Sequence, residues 1–182
     1  LLFPNMPSNT NYRRYRNRSR SRPRRRLMPV PETKYFNKAI SHISTATSTN
    51  VLTAIPAGTS VQERIGRKIK VKALSMNLRR IVDQGEIRCV LYVPKQANQN
   101  LALASMHDPI DNDQFWVLRD WYFSDGLQNN PGIWTHTFPM GLNVEYDGTG
   151  SASQIRNTVK LFMFSGGTAD VVGHTKVWYT DV

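Results

Sequence analysis

The chain has 182 residues, a formal net charge of +11 and one cysteine, a length that suits one domain with enough chain for a real core. The lone Cys89 excludes an internal disulfide and a thiolate metal cluster. No run of 18 apolar residues exists to form a membrane-spanning helix, and Leu1-Leu2-Phe3-Pro4 is too short for the apolar region of a signal peptide.

The charge is not evenly spread. Residues 1–26 hold nine arginines (Arg13, Arg14, Arg16, Arg18, Arg20, Arg22, Arg24, Arg25 and Arg26) and no Lys, Asp or Glu. Subtracting those nine from 24 basic residues leaves 15 against 13 acidic ones, a net +2 over residues 27–182. Residues 6–26 are rich in Arg, Asn, Ser and Pro and cannot offset the entropy of ordering in isolation, so they are expected to be disordered when free. Met6 is the expected natural start. Arginine is always charged and forks onto phosphate with two parallel hydrogen bonds. Each neutralised phosphate releases condensed counterion, which makes such binding strong at low salt and independent of sequence. Tyr12 and Tyr15 lie among the arginines and are placed to stack on unpaired bases. The segment therefore reads as a nucleic-acid-binding arm, and the same basic cluster can serve as a nuclear import signal. Pro29 and Pro31 make a stiff joint, dividing the chain into an arm at 1–31 and a second domain at 32–182.

From Thr33 on, runs rich in Val, Ile, Thr, Tyr, Phe and Trp alternate with Gly, Pro, Asn and Asp punctuation. Eight strands are expected. The first is long and interrupted, Thr33 to Ile55. The second, Lys68–Ile81, alternates cleanly, but its parity slips between Ala73 and Leu74, which predicts a bulge or a change of face. The third, Glu86–Val93, alternates less and reads as buried on both sides. Phe115–Phe123, Ile133–Phe138, Leu142–Tyr146, Thr158–Phe164 and Thr175–Thr180 follow, with turn signals such as Asp125-Gly126, Pro139-Met140-Gly141 and Asp147-Gly148 between them. Asn98–Met106 is the one segment expected to form a short helix. Many short strands with such punctuation predict a sandwich or barrel, and the lack of a repeat of 20–50 residues argues against a propeller or solenoid.

Little here suggests catalysis. In a strand, Lys68, Lys70 and Lys72 share one face and Ile69 and Val71 the other. That stripe reads either as an ordinary solvent-facing strand or as a basic wall that continues the arm's role, with Arg79 and Arg80 at its far end. Asp108, Asp111 and Asp113 sit close enough in sequence to suggest a hard cation such as calcium, but they lack the Gly and distal Glu of an EF-hand loop and read better as a solvated loop. His42, His107, His136 and His174 do not pair at ligand spacing. No HExxH, P-loop or GxSxG pattern is present, and Cys89 reads as an inert strand residue. The chain is expected not to be an enzyme and to need no cofactor.

The order of these features resembles the single-jelly-roll coat proteins of satellite tobacco necrosis virus and the capsids of circular, Rep-encoding single-stranded DNA viruses. The matching stretches are Gln62-Glu63-Arg64-Ile65-Gly66-Arg67-Lys68-Ile69-Lys70-Val71-Lys72 as the entry to strand C, Arg88–Val93 as strand D, and Phe115-Trp116-Val117-Leu118-Arg119-Asp120 as strand E. Asn157–Phe164 and Val177-Trp178-Tyr179-Thr180-Asp181 match strands H and I. The resemblance spans roughly residues 33–182. It implies an all-β fold, an eight-stranded antiparallel jelly roll of two four-stranded sheets ordered BIDG and CHEF. It further implies about sixty copies in a closed T=1 shell with arms inward, and a single-stranded genome as partner, DNA ahead of RNA. A virion location with passage through the host nucleus, an import receptor and a cell-surface receptor follow from the same resemblance. Calcium sites occur in the satellite-virus relatives, but only Asp181 can be matched to them here. Trp116, Trp121, Trp134, Leu127 and Met140 are candidates for subunit interfaces, with burial in the core as the alternative. The competing function is a monomeric β-barrel module that binds single strands and carries a basic tail.

Overall fold

The computed structural model describes residues 31–42, 47–81, 85–123, 133–148, 154–166 and 170–182. The arm residues, Tyr12, Tyr15 and the nine arginines among them, lie outside the described residues, as does Leu127. Among the described residues there is no helix, and so none that is long and apolar enough to cross a membrane.

Nine strands form two antiparallel sheets. In chain order they are β1 (Lys34–His42), β2 (Thr47–Val51), β3 (Lys68–Arg80), β4 (Ile87–Pro94), β5 (Phe115–Phe123), β6 (Ile133–Tyr146), β7 (Gln154–Arg156), β8 (Lys160–Ser165) and β9 (Val171–Asp181). The sheet orders are β1-β9-β3-β6-β7 and β2-β8-β4-β5. Setting aside the three-residue β7, lettering the strands B to I along the chain gives BIDG and CHEF, so the domain is a jelly roll.

The strand letters expected from the sequence are nevertheless displaced. The first run is two strands, β1 and β2, which lie in different sheets. The run at Lys68 therefore occupies place D, the run at Arg88 place E, and the run at Phe115 place F. The count of eight was kept near the truth by a second error. Ile133–Phe138 and Leu142–Tyr146 are one strand, β6, which continues through Pro139-Met140-Gly141 with its register against β3 jumping from Pro139 to Leu142. β6 pairs with β3 on both sides of that shift but with β7 only at Glu145 and Tyr146, so among the described residues most of its other side is an open edge. An edge strand tolerates a proline, because the missing N–H costs no ladder bond on the solvent side. The expected helix at Asn98–Met106 is also absent.

Other details follow the sequence pattern. β3 alternates, with Ile69 and Val71 fully buried and Lys68, Lys70 and Lys72 exposed. Its pairing with both neighbours shifts between Val71 and Ala73, which makes Lys72 the bulged residue and then resets the inward face to Leu74, Met76 and Leu78. β4 is buried at every position, as expected of a central strand covered on both sides. Cys89 on it is fully buried, and burial pushes its thiol up, away from reactive thiolate.

The main core fills the space between the sheets. Ile69, Val71, Leu74, Met76 and Leu78 face Ile87, Cys89, Leu91, Leu161 and Met163. One end is closed by a stack in which Trp121 of β5 lies 4.2 Å from Trp134 of β6, ring centroid to centroid. Arg64 closes the other end. It is fully buried, its guanidinium lies 3.8 Å over the Tyr146 ring, and it donates to the carbonyls of Ile55, Gly66 and Gly148. Gly66 adopts φ +88, the left-handed conformation that glycine supplies at little cost. The Arg64-Ile65-Gly66 stretch, read from sequence as a strand entry, thus acts as a clasp between loops.

Candidate nucleic-acid interface

Each sheet has one face on the core and one face outward, and the two outward faces differ. On β4 and β8 the outward side chains are Arg88, Val90, Tyr92, Lys160 and Phe162. They lie under the segment 95–114. Leu101 and Phe115 join Val90, Tyr92 and Phe162 in a second apolar cluster, with Leu103 and Ile110 packed against it. This explains the missing helix. Leu101 and Met106 are pulled down onto the sheet, and the backbone is satisfied by side chains instead of by helical bonds. The Leu101 N–H donates to the Tyr92 hydroxyl at 3.0 Å.

Both cations of this face are consumed by that cover. Arg88 grips Asp120 with two bonds, 3.1 Å from Nε and 2.7 Å from Nη2, and its Nη1 donates to the carbonyls of Met106 and Asp108. Lys160 donates to the Gln99 carbonyl and to Asn100 Oδ1. Burial holds its ammonium below the ordinary lysine value. Neither cation is offered to a ligand.

On the five-stranded sheet, by contrast, no apolar cluster covers the outward face among the described residues, and Lys68, Lys70, Lys72 and Arg79 are exposed. Its outward positions carry Lys68, Lys70, Lys72 and Arg79 from β3, Lys176 and His174 from β9, and Arg156 from β7. Between them lie Asn37, Ser75, Asn77, Thr135, Thr137 and Asn143. The only carboxylate at an outward position in these strands is Glu145, which is paired with Lys68. The Lys68 ammonium holds that carboxyl below its ordinary value, and the charges of Arg156 and Arg67 act in the same direction. The three lysines read from the sequence are thus brought onto one face, as the alternation required. Arg79 joins them, while Arg80 turns inward and is buried.

Sequence reasoning missed Lys176. Its Nζ sits 4.4 Å from the Tyr35 ring centroid and 5.2 Å from that of Trp178. The signal was present in the alternation of Lys176, Trp178 and Thr180 against Val177 and Tyr179. The partner ring on β1 was not legible, because the pairing of Tyr35 with Trp178 joins the two ends of the chain.

The acidic candidates have other duties. Asp108 accepts the N–H groups of Ala104 and Ser105, and Asp111 accepts that of Asp113. Asp181 is 3.0 Å from Lys34 Nζ and also accepts the Ile65 N–H. Among the described residues no three of His, Cys, Asp and Glu are grouped to hold a metal ion. Of the aromatic interface candidates, Trp121 is buried and Trp134 half-buried in the stack, whereas Trp116 is 51% exposed. Trp116 and Leu118 line an apolar groove of about 540 Å³ with Phe138, Met140 and Leu142, where the open edges of β5 and β6 approach each other.

No family model and no curated protein matches the sequence. Among solved structures the chain is similar to the 60-mer BFDV capsid protein, with 10% identity over 81% of this chain and 90% of that one and a TM-score of 0.37. It is also similar to a protein of Desmodium yellow mottle tymovirus, with 14% identity over 87% and 95% of the two chains and a TM-score of 0.37. The decameric form of the BFDV capsid protein gives 11% identity, 81% and 95% coverage and a TM-score of 0.32. Likeness at this level decides nothing about function, which rests on this chain's own strand order, charge and surfaces.

Proposed function

We propose that the chain is a viral coat protein that self-assembles into a small closed shell and packages a single-stranded genome. The observation that carries this reading is the separation of charge. Nine arginines lie in residues 1–26, and the second concentration of cations lies on the bare face of the sheet whose edge strand, β1, follows the arm in the chain. Residues 27–182 as a whole carry only +2, which lets many copies pack side by side without mutual repulsion. Exposed apolar groups at the open β5–β6 edge, Trp116 and Leu118 among them, suit burial against a second copy.

In this reading the chain has a structural role and no catalytic one. About sixty copies close a T=1 shell, the arms neutralise phosphate by count and not by sequence, and the genome is DNA sooner than RNA. The arm also directs the protein to the host nucleus before assembly. Electron microscopy and light scattering of the purified full-length protein with nucleic acid test the proposal. Uniform shells that protect single-stranded DNA from nuclease are expected, and Trp116→Asp should leave folded but unassembled protein. A 20.8 kDa monomer that binds oligonucleotide without assembling would instead establish the monomeric binding module.

A further inference from the structure

The bare face holds more than a count of charges requires. Tyr35 on β1 is directly opposite Trp178 on β9, Trp178 is opposite Ala73 on β3, and Ala73 is opposite Pro139 on β6. This row across four strands is two half-buried aromatic residues followed by two small apolar ones, an apolar shelf on the outward side of the sheet. Neither ring belongs to the core. The neighbouring row on one side is Asn37, Lys176, Ser75 and Thr137, and on the other Thr180, Lys70 and Asn143. The first row lies two residues along each strand, about 7 Å away, and the second lies across the bulge, two residues on along β9, three along β3 and four along β6. Lys176, on one border, folds its Nζ over both rings in the free chain, the place a stacking base would take from it, and Lys70 with the bulged Lys72 lies on the other border.

We infer that Tyr35 and Trp178 stack on the bases of an unpaired nucleic-acid strand whose phosphates lie against Lys176, Lys70 and Lys72, so that this face selects single-stranded over double-stranded nucleic acid. The inference rests on the packaging role proposed above and names what the folded domain adds to it. Every base has a π-face, so stacking is tolerant of sequence. A duplex keeps those faces inside its own stack and shows only base edges in its grooves. The rings gain nothing from it, while the lysines attract both forms alike. The exposed Asn37, Thr137 and Asn143 around the shelf add hydrogen-bond donors and acceptors without adding a repulsive charge.

The test uses the full-length chain and fluorescent oligothymidylate, with a duplex of equal length, read by anisotropy at fixed salt. Replacing Tyr35 and Trp178 together by Thr, a residue suited to an exposed strand face, should cost about tenfold or more in affinity for the single strand and leave the duplex unchanged. Tyr35→Phe with Trp178→Phe should restore the preference. Lys70→Gln with Lys176→Gln should weaken both ligands alike and lower the salt slope by about two. Ultraviolet cross-linking of oligothymidylate to the unaltered protein needs no variant to fold, and adducts are expected on Tyr35 or Trp178. Equal losses on both ligands, no loss, or adducts confined to residues 1–31 would overturn the inference while leaving the packaging role standing. Failure of the unaltered chain to bind either ligand would overturn both.

Discussion

The two sheets of this jelly roll carry similar cations on their outward faces and put them to opposite use. On the four-stranded sheet, Arg88 and Lys160 are roofed by segment 95–114 and spend their donors on its carbonyls and on Asp120. On the five-stranded sheet, Lys70, Lys72, Arg79 and Lys176 meet no roof among the described residues. A buried cation is a structural rivet that must be matched bond for bond, whereas an exposed one on an acid-poor face contributes its field to whatever polyanion approaches. Residue type does not separate the two roles, because cover does.

The comparison can be broken at several points. The largest effect is expected outside both faces. Deleting residues 1–26 should leave the β domain folded, by its far-ultraviolet spectrum and melting, yet abolish nucleic-acid retention by purified particles. Particles that kept their normal content would show that the sheet face alone holds the genome. On the covered face, Arg88→Met leaves Asp120 and two carbonyls without their partner. A loss of about 3 kcal/mol is expected in urea unfolding, toward the low end for a broken buried pair because Asp120 is partly solvated. The same cation-to-neutral change on the bare face, Lys70→Gln with Lys72→Gln, should cost stability by less than about 0.5 kcal/mol and appear instead as a shallower salt dependence of binding.

A smaller effect tests the seam between the sheets. His42 of β1 is buried, and its Nδ1 lies 2.8 Å from Ser48 Oγ of β2. Burial lowers its pKa from the ordinary 6.5, against a weaker opposing pull from Asp170. Below pH 6.5 the unfolded histidine therefore binds a proton that the folded one resists, so stability should fall as the pH drops below the ordinary 6.5. His42→Gln should flatten that fall in urea titrations at stepped pH. The smallest effect is expected from chelation. With Asp108, Asp111 and Asp181 committed to backbone N–H groups or Lys34, added EDTA should leave particle scattering and melting unchanged.

Several features of this molecule were legible in advance because they depend on neighbours in the chain. The alternation of Ile69 and Val71 against Lys68 and Lys70 needs only the two-residue period of a strand. The parity slip that marks the bulge, and the continuous apolar run of β4, are equally local. What misled was also local evidence. Pro139-Met140-Gly141 has the composition of a turn, but an open edge removes the penalty that would have made it one. Asn98–Met106 has helical composition, but an apolar sheet face beneath it outbids the propensity of a short isolated helix.

By itself, then, the sequence determined the charge of the arm, the all-β class and which side chains share a face within each strand. Only the tertiary structure decided which sheet would be roofed, and which residues from distant parts of the chain would meet. Strand period orders side chains along one strand and carries no information about its partner. Tyr35, Trp178 and Ala73 became neighbours because β9 inserts between β1 and β3, an arrangement fixed by burying both sheets' inner faces together.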